Sequence, residues 1–203
     1  MIEPAILLPY LAFCIVMSGT PGPNNTMALT SGVRVGLWRS MPLVAGIALG
    51  VALQLLAIGL GLGAIFDAVP ALHDVLRICG SVYLLWLAIK IARSGPVRPA
   101  AEDRPPVGFA GAAAFQWVNP KAWAITTSAA AAYLPAADYL ANVGVAAVIM
   151  ALVAIPCVSA WAACGTVLRR FLVQPGYARA FNITAALLLV AAIGPILFGT
   201  RAA

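Results

Sequence analysis

Two short polar stretches interrupt an otherwise apolar chain: "TPGPNN", residues 20–25, and "WVNPKAW", residues 117–123. Each combines helix-breaking prolines with amides. Asn119 is a good N-cap, and Pro120 suits the first position of a helix. In the earlier stretch Thr20 or Gly22 can cap, with Pro21 or Pro23 following. A helix restarted at such a point presents free N–H groups and the positive end of its dipole, both suited to a carboxylate. Lys121 adds an ammonium to that chemistry. Backbone carbonyls, Asn24, Asn25 and Gln54 offer acceptors for a substrate ammonium. The candidate substrate-binding residues are therefore Pro21, Gly22, Pro23, Asn24, Asn25, Gln54, Asn119, Pro120 and Lys121. Plainer readings stand beside this one. "PGPNN" can be a cytoplasmic turn, "NP" a simple kink, and Lys121 an interface anchor whose ammonium snorkels to the headgroups.

The elements that would position these residues are membrane helices. Of 203 residues, 63% are hydrophobic and 9% charged, and the mean hydropathy is +1.00. Soluble domains carry about a quarter charged residues, so the composition points to an integral membrane protein. The apolar runs are long and do not alternate, which argues for helices over barrel strands. Six crossings are expected, near 4–20, 41–66, 70–92, 107–135, 139–168 and 181–200, with Pro156 as a kink in the long fifth. Arg34 and Arg39 follow the first. Lys90, Arg93, Arg98 and Arg104 follow the third, and Arg169, Arg170 and Arg179 the fifth. The positive-inside rule then places both termini outside, in the periplasm of a bacterium. The net charge of +6 is scattered between apolar runs, which argues against nucleic acid. Cys14, Cys79, Cys157 and Cys164 all fall in apolar runs, without a C-x-x-C motif, and read as reduced buried residues. His73 reads as a surface residue.

Three spans precede the proline-rich stretch 94–108 and three follow it. An odd number per half means that homologous halves are inverted relative to one another, a common transporter design. The expected fold is thus an all-α membrane protein, residues 1–203 forming one transporter domain. Its two inverted three-helix repeats are 1–93 and 109–203, joined by the cytoplasmic linker 94–108, with breaks in spans one and four. The glycine rows Gly46–Gly50 and Gly59–Gly63 suggest close helix packing. No Asp or Glu falls well inside a span, so a neutral zwitterion is an easier substrate than a cationic amino acid. No metal cluster, nucleotide loop or catalytic triad is legible; the chain reads as no enzyme, with no cofactor. A transmembrane thiol–disulfide carrier, a passive channel and a membrane scaffold are the rival readings.

The chain resembles the LysE/RhtB amino-acid exporters along nearly its whole length. The motifs that carry the resemblance are "TPGPNN", "SGVRVGLWRSMPLVAGIALG", "GSVYLLWLAIKI", "FQWVNPKAW" and "FNITAALLLV", in that order. It is most similar to the branch exporting cysteine and O-acetylserine, by "PGPNN", "LWLAIKIA" and "FQWVN". The resemblance implies efflux of small amino acids or derivatives across the inner membrane, as a secondary transporter driven by the proton gradient. It marks Pro21, Gly22, Pro23, Asn24, Asn119, Pro120 and Lys121 as motif positions. In many relatives an acidic residue follows the glycine-rich start of span two; Val51 stands there in this sequence, so the proton-coupling group is left open, as is a homodimer.

Overall fold

A computed structural model describes residues 4–62, 70–95, 107–135 and 138–193. Gly63, most of the linker and the side chain of His73 lie outside the described residues. All regular structure among the described residues is helical. In chain order the helices are α1 (Pro4–Gly19), α2 (Pro23–Val35), α3 (Leu37–Ala57), α4 (Pro70–Ala92), α5 (Phe109–Phe115), α6 (Pro120–Tyr133), α7 (Tyr139–Leu168) and α8 (Pro175–Ala191). A wider π turn, Ile58–Leu62, extends α3, and a 3₁₀ turn, Gln116–Val118, follows α5.

The first span does not end where the apolar run ends. After a three-residue break the chain continues as α2, bent by 56° from α1. Thr26, Thr30 and Ser31 make α2 look like a loop in sequence, yet all three are buried. Their hydroxyls are satisfied within the fold: Thr26 Oγ1 donates to Gly22 O, Thr30 Oγ1 to Thr26 O, and Ser31 shares a 2.8 Å bond with Ser40. Hydroxyls bonded in this way carry little desolvation cost, so a polar helix can sit inside an apolar shell. The reversal into α3 is a single residue, Gly36, at φ +84°, a conformation that favours glycine.

Among the described residues two helices are each long and apolar enough to cross a membrane, Leu37–Leu62 and Tyr139–Leu168; the bent pair α1–α2 would be a third. Pro156 lies inside α7, which stays helical through it. Ile78–Ala92 and Phe109–Val118 are shorter apolar helices. Large apolar side chains cover the outside of the bundle; Leu8, Leu140, Leu152 and Leu187 are examples. That is the expected surface of a protein solvated by lipid. Cys79 and Cys164 share this outer surface and only Cys14 is fully buried, so burial of all four cysteines is corrected. In a bilayer an apolar residue is as well placed facing lipid as facing the core.

The packing interleaves the two parts of the chain. α1 and α2 lie against α7, and α5 and α6 lie against α3; α3 packs on α7, and α4 on α8. Glycines allow the closest approaches. A Cβ on Gly32 would lie 2.0 Å from the Ala162 carbonyl oxygen, and one on Gly165 2.1 Å from that of Leu29, so α2 and α7 touch main chain to main chain. Gly46 and Gly50 play the same part against α5, while Gly59 faces Val143. One apolar cluster contains Leu43, Ile47, Leu84 and Val158; a second contains Tyr10, Cys14, Leu55, Ile125 and Met150.

Candidate functional site

The two breaks meet between those clusters. Local chemistry makes each. At the second, Asn119 is extended at φ −87°, ψ 109°, and its side chain accepts from Lys121 N at 3.1 Å, while Pro120 opens α6. Here the cap and the proline do what their types favour. At the first, Gly22 is the residue before α2, no side chain caps it, and Pro23 opens the helix.

Side-chain amides join the two breaks. Asn24 Nδ2 donates to Gln116 Oε1 at 2.9 Å, and Gln116 Nε2 donates back to Asn24 Oδ1 at 3.0 Å. Asn119 Nδ2 reaches both acceptors, Asn24 Oδ1 and Gln116 Oε1, at 3.2 Å each. Behind this triangle Gln54 Nε2 donates to the Gln116 carbonyl oxygen at 3.1 Å, and Thr126 Oγ1 donates to Gln54 Oε1 at 3.4 Å. Gln54, Gln116, Asn119 and Thr126 are fully buried. Each bond contributes about 1 kcal/mol net, but an orphaned buried amide costs about 1–3 kcal/mol, so the network is held most firmly by the cost of breaking it.

A different set of donors serves the end of α1, where carbonyls lose their helical partners. Asn25 Nδ2 donates to Ser18 O at 2.9 Å and Thr20 O at 2.7 Å. Trp161 Nε1 donates to Gly19 O at 3.1 Å. Lys121 Nζ, on the other side of the junction, donates to Thr20 O at 2.7 Å, Thr20 Oγ1 at 2.9 Å and Pro21 O at 3.2 Å. The lysine stem runs over Gly22, where a Cβ would lie 2.8 Å from Lys121 Cδ.

Beside this junction is a cavity of about 30 Å³, lined by Cys14, Ser18, Gly22, Asn24, Asn25 and Lys121 among others. Ile47 and Val51 from α3 and Met150, Ala154 and Val158 from α7 complete its wall. These positions are about halfway along the two long helices. The cavity has room for about two water molecules and none for an amino acid.

Of the nine residues expected at the site, Gly22, Asn24, Asn25 and Lys121 line the cavity. Asn119 stands behind it and bonds Asn24 and Lys121, and Gln54 bonds Gln116. Pro21 contributes its carbonyl, and Pro23 and Pro120 set the helix starts. Sequence reasoning did not assign Gln116 or Thr20 to the site. Gln116 is the hub of the amide network, and a glutamine just before N-P in an apolar run was the available signal.

The comparisons with known proteins bear on the family of the chain. Residues 15–197 match the family model described as LysE type translocator. The chain is 33% identical over 190 residues to proteins named cysteine/O-acetylserine efflux protein from Escherichia coli K12 and Shigella sonnei, covering 92% of this chain and 95% of theirs. No solved structure matches it. It is a transporter and not an enzyme. With its motifs, its apolar helices and its match over most of the chain, the protein belongs to the LysE family of translocators.

Proposed function

We propose that the protein exports small neutral amino acids or their derivatives, of the cysteine, O-acetylserine, serine and threonine kind. Export runs across the bacterial inner membrane and uses the proton gradient. The observation that carries this reading is the meeting of the two breaks, with Asn24 bonded to Gln116 and Asn119 beside a small cavity about halfway along the two long helices. The first turn of α2 offers N–H groups without helical acceptors next to that cavity, suited to the substrate carboxylate. Among the described residues no Asp or Glu lines it, which disfavours a second cationic group on the substrate.

The architecture that serves this function is six crossings in two inverted repeats, 1–93 and 109–203, with linker 94–108 in the cytoplasm and both termini in the periplasm. The interchange of partners supports it: each broken span packs against the long helix of the other part. Such an arrangement lets one repeat rock against the other around a fixed central site.

Counterflow in proteoliposomes tests the reading. Vesicles loaded with unlabelled serine should take up labelled serine, cysteine and O-acetylserine, and lysine at about a tenth of their rate or less. Lysine exchange at an equal or higher rate, or exchange of none of them, overturns it. Reporter fusions that place residues 94–108 in the periplasm would reject the orientation.

A further inference from the structure

The group that fills the gap at the end of α1 is part of the protein itself. Lys121 Nζ contacts three oxygens, Thr20 O, Thr20 Oγ1 and Pro21 O, as a bound ammonium would. A second observation points to the same chemistry. Asn25 is 2% exposed and lines the adjoining cavity, and its Oδ1 has no hydrogen-bond partner. The orientation of that amide is fixed, because its Nδ2 faces two carbonyl oxygens and only the nitrogen can donate. One of them, Thr20 O, is shared with Lys121. The junction therefore offers four acceptors for cationic donors, one of them vacant, and no carboxylate among the described lining residues.

We propose that this nest is the subsite for the substrate ammonium, that Lys121 is a tethered occupant displaced by substrate, and that its proton is the ion exchanged for each amino acid exported. The inference rests on the amino-acid export reading above. Two ammonium groups cannot share one set of acceptors without repulsion. When a zwitterion enters from the cytoplasm, its ammonium takes Thr20 O, Pro21 O and Asn25 Oδ1. Lys121 gives one proton to cytoplasmic water and becomes a neutral amine. After the substrate leaves on the outer side, Lys121 takes one proton from periplasmic water and returns to the nest. One zwitterion moves out and one proton moves in. The loaded carrier has no net charge at the site and the empty carrier has one positive charge, so a negative-inside potential favours the return of the empty form.

The surroundings suit such a group. Lys121 is half-buried, while Thr20 and Pro21 are exposed. From α1 the titratable neighbour is Cys14, which lines the cavity. From α7, Cys157 approaches Ile15 O on α1 rather than the nest. α2 presents Asn24 and Asn25, and α3 presents Ile47 and Val51, none of which titrates.

The test uses the whole protein in proteoliposomes with labelled serine, measuring counterflow and accumulation under an imposed pH gradient in the same vesicles. In Lys121→Met counterflow should persist with its half-saturation concentration lowered about threefold or more, because no tethered competitor remains, and the pH gradient should no longer drive accumulation. Lys121→Arg should lose both, since a guanidinium holds the nest and does not give up its proton. Accumulation driven by the pH gradient in Lys121→Met, a raised half-saturation concentration, or normal transport in Lys121→Arg each overturns the proposal. Should the variants fail to fold, amine labelling of the wild type decides. Saturating serine should increase methylation of Lys121 read by mass spectrometry, and unchanged or decreased labelling overturns the displacement. Wild-type vesicles without serine counterflow would instead reject the export reading.

Discussion

The two breaks differ in who completes them. The second is capped by its own residues: Asn119 caps its own helix, a 3₁₀ turn closes the gap, and Gln116 and Asn119 are fully buried. The first has no side-chain cap, bends by 56°, and leaves carbonyls that Asn25, Trp161 and Lys121 satisfy from α2, α7 and α6. A junction completed by its own residues is rigid. One completed in part by groups on two other helices, α6 and α7, changes whenever those helices shift. The second break is the fixed support and the first is the part that can open, although both arise from proline beside asparagine.

The strongest attack on this contrast is at the support. Asn119→Leu removes a cap and two amide bonds and leaves Gln116 and Asn24 paired only with each other across the junction. It is expected to abolish transport and lower stability by about 3 kcal/mol, checked by serine counterflow and by thermal melting in detergent. If melting is unchanged, the second break is not the rigid one. At the opening side, Trp161→Phe removes one donor, to Gly19 O, and keeps the ring. Its expected cost is about 1 kcal/mol of stability, with a change in transport rate of a few-fold. A loss as large as that of Asn119→Leu would erase the distinction. The mildest probe is Gly22→Ala. The backbone there is extended at φ 175°, so alanine introduces no strain, and its methyl group meets only the lysine stem. Stability should change by less than about 1 kcal/mol, while methylation of Lys121 in the absence of substrate rises as the stem is pushed aside.

The parts of the site that were legible in the sequence are those made by neighbouring residues. Asn119 and Pro120 announce a helix start because capping involves residues two positions apart. The broken helices and the membrane-like composition were legible for the same reason. Gln116 was not, since its partner Asn24 is 92 positions away and its type alone does not distinguish a hub from a packing contact. The target of Lys121 was equally hidden. The anchor reading and the nest reading both use a long stem and a charged tip, and only the position of α1 decides between them. The burial of α2 was hidden as well, because Thr26, Thr30 and Ser31 are polar. Its burial depends on α3, α7 and α8, which the local sequence does not describe.

The glycine contacts between α2 and α7 set a mechanical condition on all of this. At Gly32 and Gly165 there is no side chain to tilt or compress, so the two helices fit as a key in a slot. Sliding one along the other would drive carbonyl into backbone. A force on α2 is therefore passed to α7 with little give, and the compliance of the assembly is concentrated in the elbow at Thr20–Gly22, the three residues that join α1 to the interlocked pair. The protein has a stiff shaft and a soft joint, and the joint is where its only half-buried lysine rests among the described residues.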